Sequence, residues 1–258
     1  MLLRGKQLRR TITDGMQWSF LLLCCFISIG LFAGISFCLI REGLPEFFKG
    51  ISAWHYLKEY FINTLWLLAL TLPAAGILGV AGAVYLEEYA KNETVTSVIQ
   101  FAIEILAGIP SIVFGLFGMV FFGELLHLGY SLLTGSLTLI LMILPLMLEN
   151  TREILKTIPK EYRLGALGLG AGKWQMLWTV LLPEAVPGIL AGFTVSTGKI
   201  LGESAALLFT AGSRGSLSVA LYRMIGKGQI EECYQIALIL LFLMILLNLF
   251  FQYIREQR

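Results

Sequence analysis

The chain has 258 residues, of which 57% are hydrophobic and only 14% charged, and its net charge is +2. A soluble domain of this length needs more polar surface than that to cover its core; the near-neutral net charge says little by itself, and no nucleic-acid partner is expected. Uncharged runs beyond ~18 residues instead mark membrane helices, because the hydrocarbon layer is about 30 Å thick.

Taken in order, charge-free runs cover residues 15–40, 61–86, 105–123, 125–148 (interrupted only by His127) and 233–254. One more apolar stretch, 185–210, carries Lys199 and Glu203. The reading is an all-α membrane protein with six transmembrane helices. Residues 1–15 form a cytoplasmic N-terminal segment, and 16–60 a first helix with an external segment. A five-helix core over 61–254 contains a cytoplasmic loop at 149–173, and 255–258 is a cytoplasmic C-terminus. Cations set this orientation. Arg4, Lys6, Arg9, Arg10, Lys91, Arg152, Lys156, Lys160, Arg163, Lys173, Arg255 and Arg258 fall inside. Arg41, Lys49, Lys58, Arg214, Arg223 and Lys227 fall outside, so the excess is cytoplasmic as the positive-inside rule requires.

The first apolar run is too long for a signal-peptide core, so an uncleaved helix is expected. Cys24, Cys25, Cys38 and Cys233 have neither disulfide nor metal-ligand spacing, and no metal site is expected. Segment 41–60 mixes charges with Phe47, Phe48, Trp54, Tyr56 and Tyr60, which suits an interfacial anchor or a docking surface for an external binding protein. His55 and His127 read as interfacial. In the second helix, Ala75, Gly76, Gly79, Gly82 and Ala83 allow close helix packing, and Pro73 predicts a kink. In the third, Gly108, Pro110, Gly115 and Gly118 interrupt an apolar run beside Ser111, either as a packed kink or as the broken helix of a transport path. The fourth is expected over 126–148, with Pro145 near its inner end.

The 149–173 loop ends in Gly168-Leu-Gly-Ala-Gly-Lys173, which superficially looks like a phosphate-binding loop. A Walker A motif needs glycine where Leu167 stands and Ser or Thr where Trp174 stands, so nucleotide binding is rejected. The glycines suit a tight helix-turn-helix instead. In the fifth helix Lys199 and Glu203 stand one turn apart, on one face of a continuous helix. Each would cost ~2.5–3.5 kcal/mol at mid-membrane, so such residues normally face a bundle interior or a watery path. Ser196, Thr197 and Ser204 add hydroxyls, which together with an ammonium suit an oxyanion. One lysine beside one glutamate is nearly neutral, so further positive charge has to come from a second subunit.

Three stretches resemble the PstA-type permease subunits of bacterial phosphate ABC importers. They are Gly108-Ile-Pro-Ser-Ile-Val-Phe-Gly-Leu-Phe-Gly118, Leu164-Gly-Ala-Leu-Gly-Leu-Gly170 through Leu182-Pro183, and Lys199-Ile-Leu-Gly-Glu-Ser-Ala-Ala-Leu-Leu208. The resemblance covers roughly residues 61–249. It implies a type I ABC importer permease (MetI-like) fold in the plasma (inner) membrane, with both termini cytoplasmic. It implies as partners a PstC-like permease, two copies of a PstB-like ATPase and an external PstS-like phosphate-binding protein. No cofactor is expected in this chain; ATP and Mg would be bound by the ATPase. The implied substrate path is Lys199, Glu203, Ser204, Thr197, Pro110 and Ser111. The implied ATPase-coupling residues are Glu161, Leu164, Gly165, Ala166, Gly170, Leu182 and Pro183.

Three departures stand out. The loop's Glu-Ala-Ala reads Leu164-Gly165-Ala166, leaving Glu161 one turn earlier. The family arginine is Lys199, which lacks the planar fork that suits phosphate. The family's Thr-Ala-Pro is Ser204-Ala205-Ala206, which predicts the loss of a helix kink. The reading is a permease for inorganic phosphate and not an enzyme. Its alternatives are another oxyanion (molybdate, sulfate or phosphonate), an intramembrane enzyme using Glu104, Glu203 and His127, or a non-transporting adaptor.

Overall fold

The computed structural model describes residues 2–49, 51–90, 92–212 and 215–257. Lys91, Arg214 and Arg258 lie outside the described residues, as do the side chains of Arg4, Lys6, Arg9, Arg10, Phe48, Lys49, Trp54, His55 and Tyr56. Regular structure among the described residues is helical: α1 (Leu2–Lys49), α2 (Ile51–Val84), α3 (Glu93–Gly108), α4 (Ser111–Gly118), α5 (Leu132–Thr157), α6 (Lys160–Gly168), α7 (Lys173–Met176), α8 (Leu182–Gly202), α9 (Ala205–Thr210), α10 (Leu217–Gly226) and α11 (Ile230–Glu256). Single π-helical turns extend α2 (Tyr85–Tyr89) and α4 (Met119–Leu125), and a third (Leu177–Leu181) joins α7 to α8.

Five spans are long and apolar enough to cross a membrane: Gln17–Pro45, Leu57–Tyr89, Leu132–Thr157, Lys173–Gly202 and Ile230–Glu256. A sixth is the pair Glu93–Gly108 and Ser111–Leu125, bent by 101°. The chain is therefore a multi-pass membrane protein. The bend falls where the sequence places Gly108 and Pro110. Proline has no N–H to continue the α3 ladder, and it disfavours helical backbone at Ile109, whose ψ is 129°. The carbonyl of Pro110 then accepts the first amide bonds of α4, from Val113 at 2.9 Å and Phe114 at 3.4 Å.

The core forms around α5, flanked by α2, α8, α9 and α4. Leu139, Ile143, Met147, Thr151 and Leu155 recur every four residues and are fully buried, so one stripe of α5 is the spine of the bundle. Small residues let the neighbours close on it. A Cβ on Gly79 of α2 would come within 2.7 Å of the Met147 Cβ and 3.1 Å of the Leu148 amide. Gly188 and Gly192 of α8 meet the side chains of Ile154 and Asn150 in the same way, and Asn150 donates to the Gly188 carbonyl at 3.3 Å. Several hydroxyls inside the bundle turn back on their own helices. Thr64, Thr138, Thr151, Thr197 and Thr210 each donate to the carbonyl four residues earlier, at 2.8–2.9 Å.

Helix α1 differs. None of its most apolar window is buried within this chain, although it packs beside α11 near Gly43.

Two boundaries depart from the sequence reading. The fourth helix starts at Leu132, not 126. His127 (φ 55°) and Gly129 (φ 61°) form a left-handed turn, and Ser131 then caps α5 by accepting the Thr134 amide. It also continues to Thr157, so the first part of the expected 149–173 loop is the last two turns of α5. Segment 41–60 is taken up by the helical ends of α1 and α2.

Replacing Gly79 by Val places two methyls where Met147 and the Leu148 backbone already lie. It is expected to lower the thermal unfolding temperature of the purified protein, with a loss of about 1–3 kcal/mol. Cys38→Ser, on the exposed α1 surface, is the control expected to change nothing; an unchanged Gly79→Val transition contradicts the α2–α5 packing.

Candidate functional site

Two regions carry the polar chemistry, one at the end of the Lys173–Gly202 span and one at the end of the bundle that holds α6 and α7. The first is the break between α8 and α9. The helix stops at Gly202, and Glu203 has extended backbone (φ −77°, ψ 116°). Lys199 and Glu203 therefore do not share one continuous helical face, and no ion pair joins them among the described residues. Sequence spacing alone missed this, because it assumed an unbroken helix. The Glu203 carboxylate instead accepts the Ala206 amide at 3.0 Å, capping the short α9. Its carbonyl accepts the Ser218 hydroxyl at 2.6 Å, and Ser218 pairs with Ser216, whose hydroxyl caps α10. Thr64 of α2 accepts the Leu217 amide at 2.9 Å. Glu203 thus holds α8, α9 and α10 in register.

A kink survives here without the family's proline. Ala206 is fully buried, and the turn it follows is set by Gly202 and the Glu203 cap. Helix α4 seats directly on α9: a Cβ on Gly115 would lie 2.8 Å from the Ala206 Cα. The two broken segments, one beginning at Pro110 and Ser111 and the other at Glu203 and Ser204, therefore pack together. Pro110 is exposed, while Ser111 and Ser204 are half-buried. Thr197 is buried and spends its hydroxyl on the Phe193 carbonyl. Lys199 lies in the last turn of α8, where an ammonium complements the helix dipole. It is exposed and has no side-chain partner among the described residues. The Ser196 hydroxyl is buried without a partner.

The second region begins with Glu87 and Glu88 in the π-turn that ends α2. Arg152 of α5, 6% exposed, donates Nε to Glu87 and Nη1 to the Gln100 Oε1 of α3 at 3.0 Å. Lys156 stands 3.7 Å from the same Glu87 oxygen. Arg163 of α6 donates to Glu88 at 2.9 Å and to the carbonyls of Ile158 and Leu155 at 3.0 and 2.9 Å, closing the C-terminal end of α5. Lys173 of α7 donates to the Glu88 carbonyl at 3.1 Å and lies 5.7 Å from the centre of the Tyr89 ring. One charged layer so joins α2, α3, α5, α6 and α7. The sequence signal was present, two adjacent glutamates at the end of a charge-free run, but their partners lie 65 and 75 residues away.

Between α6 and α7 the chain reverses through a Schellman turn. Gly170 has φ 86°, its amide reaches the Leu167 carbonyl at 3.0 Å, and the Ala171 amide reaches Ala166 at 3.1 Å. Here glycine is required by the backbone. The turn thrusts Leu169 outward, 92% exposed, beside exposed Leu164, Gly165 and Trp174. Ala166 is half-buried against the bundle, and Glu161 is exposed with no side-chain partner among the described residues. Leu182 and Pro183 stand at the first positions of α8, where the preceding π-turn accommodates a residue without an N–H. Glu104 is held by Gln100 and Glu203 by the α9 amide. Among the described residues no three His, Cys, Asp or Glu side chains gather as a metal site.

Residues 75–257 match the family model described as "Binding-protein-dependent transport system inner membrane component". The probable ABC transporter permease protein YqgI of Bacillus subtilis is 34% identical over 213 residues, covering 80% of this chain and 72% of that one. The phosphate transport system permease protein PstA 2 of Mycobacterium tuberculosis is 30% identical over 215 residues, covering 81% and 71%. PstA of Xylella fastidiosa is 34% identical over 183 residues, covering 67% and 63%. Among solved structures, a bacterial ABC transporter importing the acidic polysaccharide alginate superposes with TM-score 0.73 at 16% identity, over 95% of this chain and 98% of that one. The MetNI methionine ABC transporter does so with TM-score 0.67 at 20% identity, over 76% and 92%. At those identities the likeness speaks for the fold.

The Glu87–Arg152 pair yields a double-mutant prediction. Removing Glu87 leaves the buried Arg152 with Gln100 alone. Removing Arg152 leaves the half-buried Glu87 with only Lys156 at 3.7 Å. Each loss therefore approaches at most the ~3–5 kcal/mol of a broken buried pair. Glu87→Ala and Arg152→Leu should each destabilise strongly, and the double variant by clearly less than their sum. Additive losses in thermal or denaturant unfolding would show that the two side chains do not interact.

Proposed function

The chain belongs to the family of binding-protein-dependent transport system inner membrane components and is of its PstA type, and from that premise we propose that it is the membrane-spanning permease of an ATP-driven importer of inorganic phosphate. ATP and Mg are bound by two copies of a separate PstB-like ATPase. A PstC-like permease completes the membrane path, and a PstS-like binding protein delivers the anion from outside. Both termini and the α6–α7 turn face the cytoplasm.

The observation that carries this reading is Lys199, a solitary exposed cation in a membrane span. Such a charge needs a partner from outside its own chain, whether a second permease, water or the transported anion. Glu203 is tied into the α8–α9–α10 junction, so its role is to shape the break beside Lys199 rather than to neutralise the lysine directly. The ATPase docks on the α6–α7 turn. This turn exposes Leu164, Leu169 and Trp174, and Leu164 stands where the family loop carries glutamate, so the matching surface is largely apolar. The charged layer from Glu87 to Lys173 makes the turn and the ends of α2 and α5 one unit, which carries ATPase closure to the two broken helices. Lysine in place of the family arginine favours one second reading, import of another tetrahedral oxyanion by the same route.

Two outcomes test this. Uptake of labelled phosphate should be lost on deletion of the gene, restored by the wild type, and not restored by a normally inserted Lys199→Gln variant. Unchanged uptake in the deletion strain, absent a second phosphate importer, moves the assignment to molybdate, sulfate or phosphonate. Separately, Leu169→Asp should leave the permease folded but abolish transport-stimulated ATP hydrolysis in the assembled complex. Full stimulation would remove the turn from the ATPase interface.

A further inference from the structure

Between α8 and α11, near the end of α11 that carries Arg255, lies a notch of about 170 Å³. Its walls are Leu190, Ala191 and Thr194 on α8, and Asn248, Phe251, Gln252 and Arg255 on α11. The α11 residues follow the i, i+3, i+4, i+7 pattern of one helix face. A long side chain on a helix leans toward the N-terminus, so Arg255 reaches back over this face. The Arg255 guanidinium has no hydrogen-bond or ion-pair partner among the described residues. The Asn248 Oδ1 is buried without a partner. Gln252 donates to Glu256 at 2.9 Å, which leaves its own Oε1 to accept, and the Thr194 hydroxyl donates to the Leu190 carbonyl at 3.0 Å. The notch therefore offers one cationic fork and several acceptor oxygens. It is smaller than the ~300–1,000 Å³ of a site for a drug-sized ligand.

We propose that this notch binds the head group of a glycerophospholipid that carries a hydrogen-bond donor, ethanolamine or glycerol, in the cytoplasmic leaflet. The Arg255 fork takes the phosphodiester, and the Asn248 and Gln252 oxygens accept from the ammonium or hydroxyls. A choline head group carries the same phosphodiester but no N–H or O–H, so it leaves the Asn248 oxygen unmet. Three observations point to lipid rather than to the transported anion. By helical phase, the α8 residues of the notch lie roughly 130° around the helix from Lys199. The neighbouring surface of α11, with Leu246, Leu249 and Phe250 exposed, is the kind that acyl chains cover. Tyr253, exposed one turn from the end of the span, suits the headgroup level. The lipid would brace α8 against α11, so head-group chemistry would tune the transport rate. The assignment rests on the membrane-spanning fold and the cytoplasmic placement of this end, not on the identity of the substrate.

The assembled transporter is purified in mild detergent and exchanged into an equimolar mixture of phosphatidylethanolamine, phosphatidylglycerol and phosphatidylcholine. Tightly retained lipid is then counted by native mass spectrometry. Ethanolamine and glycerol lipids should be enriched several-fold over phosphatidylcholine in the wild type. Arg255→Gln should lose the retained lipid, and Asn248→Leu should keep it but lose the discrimination against choline. The wild-type comparison needs no variant and so stands even if one misassembles. Equal retention of all three lipids overturns the proposal. So does unchanged retention in a well-assembled Arg255→Gln complex, or displacement of the lipid by excess inorganic phosphate, which would assign the notch to the substrate.

Discussion

Hydrocarbon offers no hydrogen bonds, so every interruption of a helix inside the membrane has to be closed by the protein itself. This constraint explains most of the polar detail. The α3–α4 bend is tolerated because the Pro110 carbonyl starts the next helix. The α8–α9 break is tolerated because the Glu203 carboxylate caps α9 while its carbonyl accepts from Ser218. Thr138 and Thr151 of α5 fold their hydroxyls back onto their own helix. The two interruptions then pack against each other through Gly115 and Ala206, which brings the sharply bent α3–α4 span against the segment that follows Lys199.

The same reasoning applied to charge separates two kinds of ionic residue. Arg152 and Arg163 are surrounded by acceptors and serve the architecture. Lys199 has none among the described residues and so looks outward. The charged layer at Glu87 and Glu88 is the mechanical counterpart of the break. It gathers the ends of α2 and α5 and the α6–α7 turn into one hydrogen-bonded body, through which, on the proposed function, a push on Leu169 would reach α2 and α5.

Much of this was legible in the sequence. The spans followed from uncharged runs, the α3–α4 bend from Gly108 and Pro110, and the helix-turn-helix of α6 and α7 from the glycine-rich run 168–172. What could not be read follows from two physical limits. Periodicity describes a helix only while the helix lasts, so Lys199 and Glu203 looked like a pair although Gly202 ends α8 between them. Likewise the left-handed turn at His127 and Gly129 moved the start of α5. Long-range pairing is the other limit. Glu87 with Arg152 and Glu88 with Arg163 leave no mark in local spacing, although the paired glutamates at the edge of an apolar run were visible. The missing loop glutamate also takes on a different meaning beside the structure, because the tip of the turn exposes Leu164, Leu169 and Trp174.

The central claim is that the coupling turn moves with the membrane core as one body, held by the charged layer. Its most direct test is a distance between spin labels at Leu164 on α6 and Val98 on α3, in an otherwise cysteine-free assembled transporter. Pulsed electron resonance would compare the nucleotide-free state with the ATP-trapped state. The account predicts one narrow distance that is the same in both. A distance that shifts or splits when ATP is trapped would contradict it, because the turn would then move independently of the helices it is meant to drive.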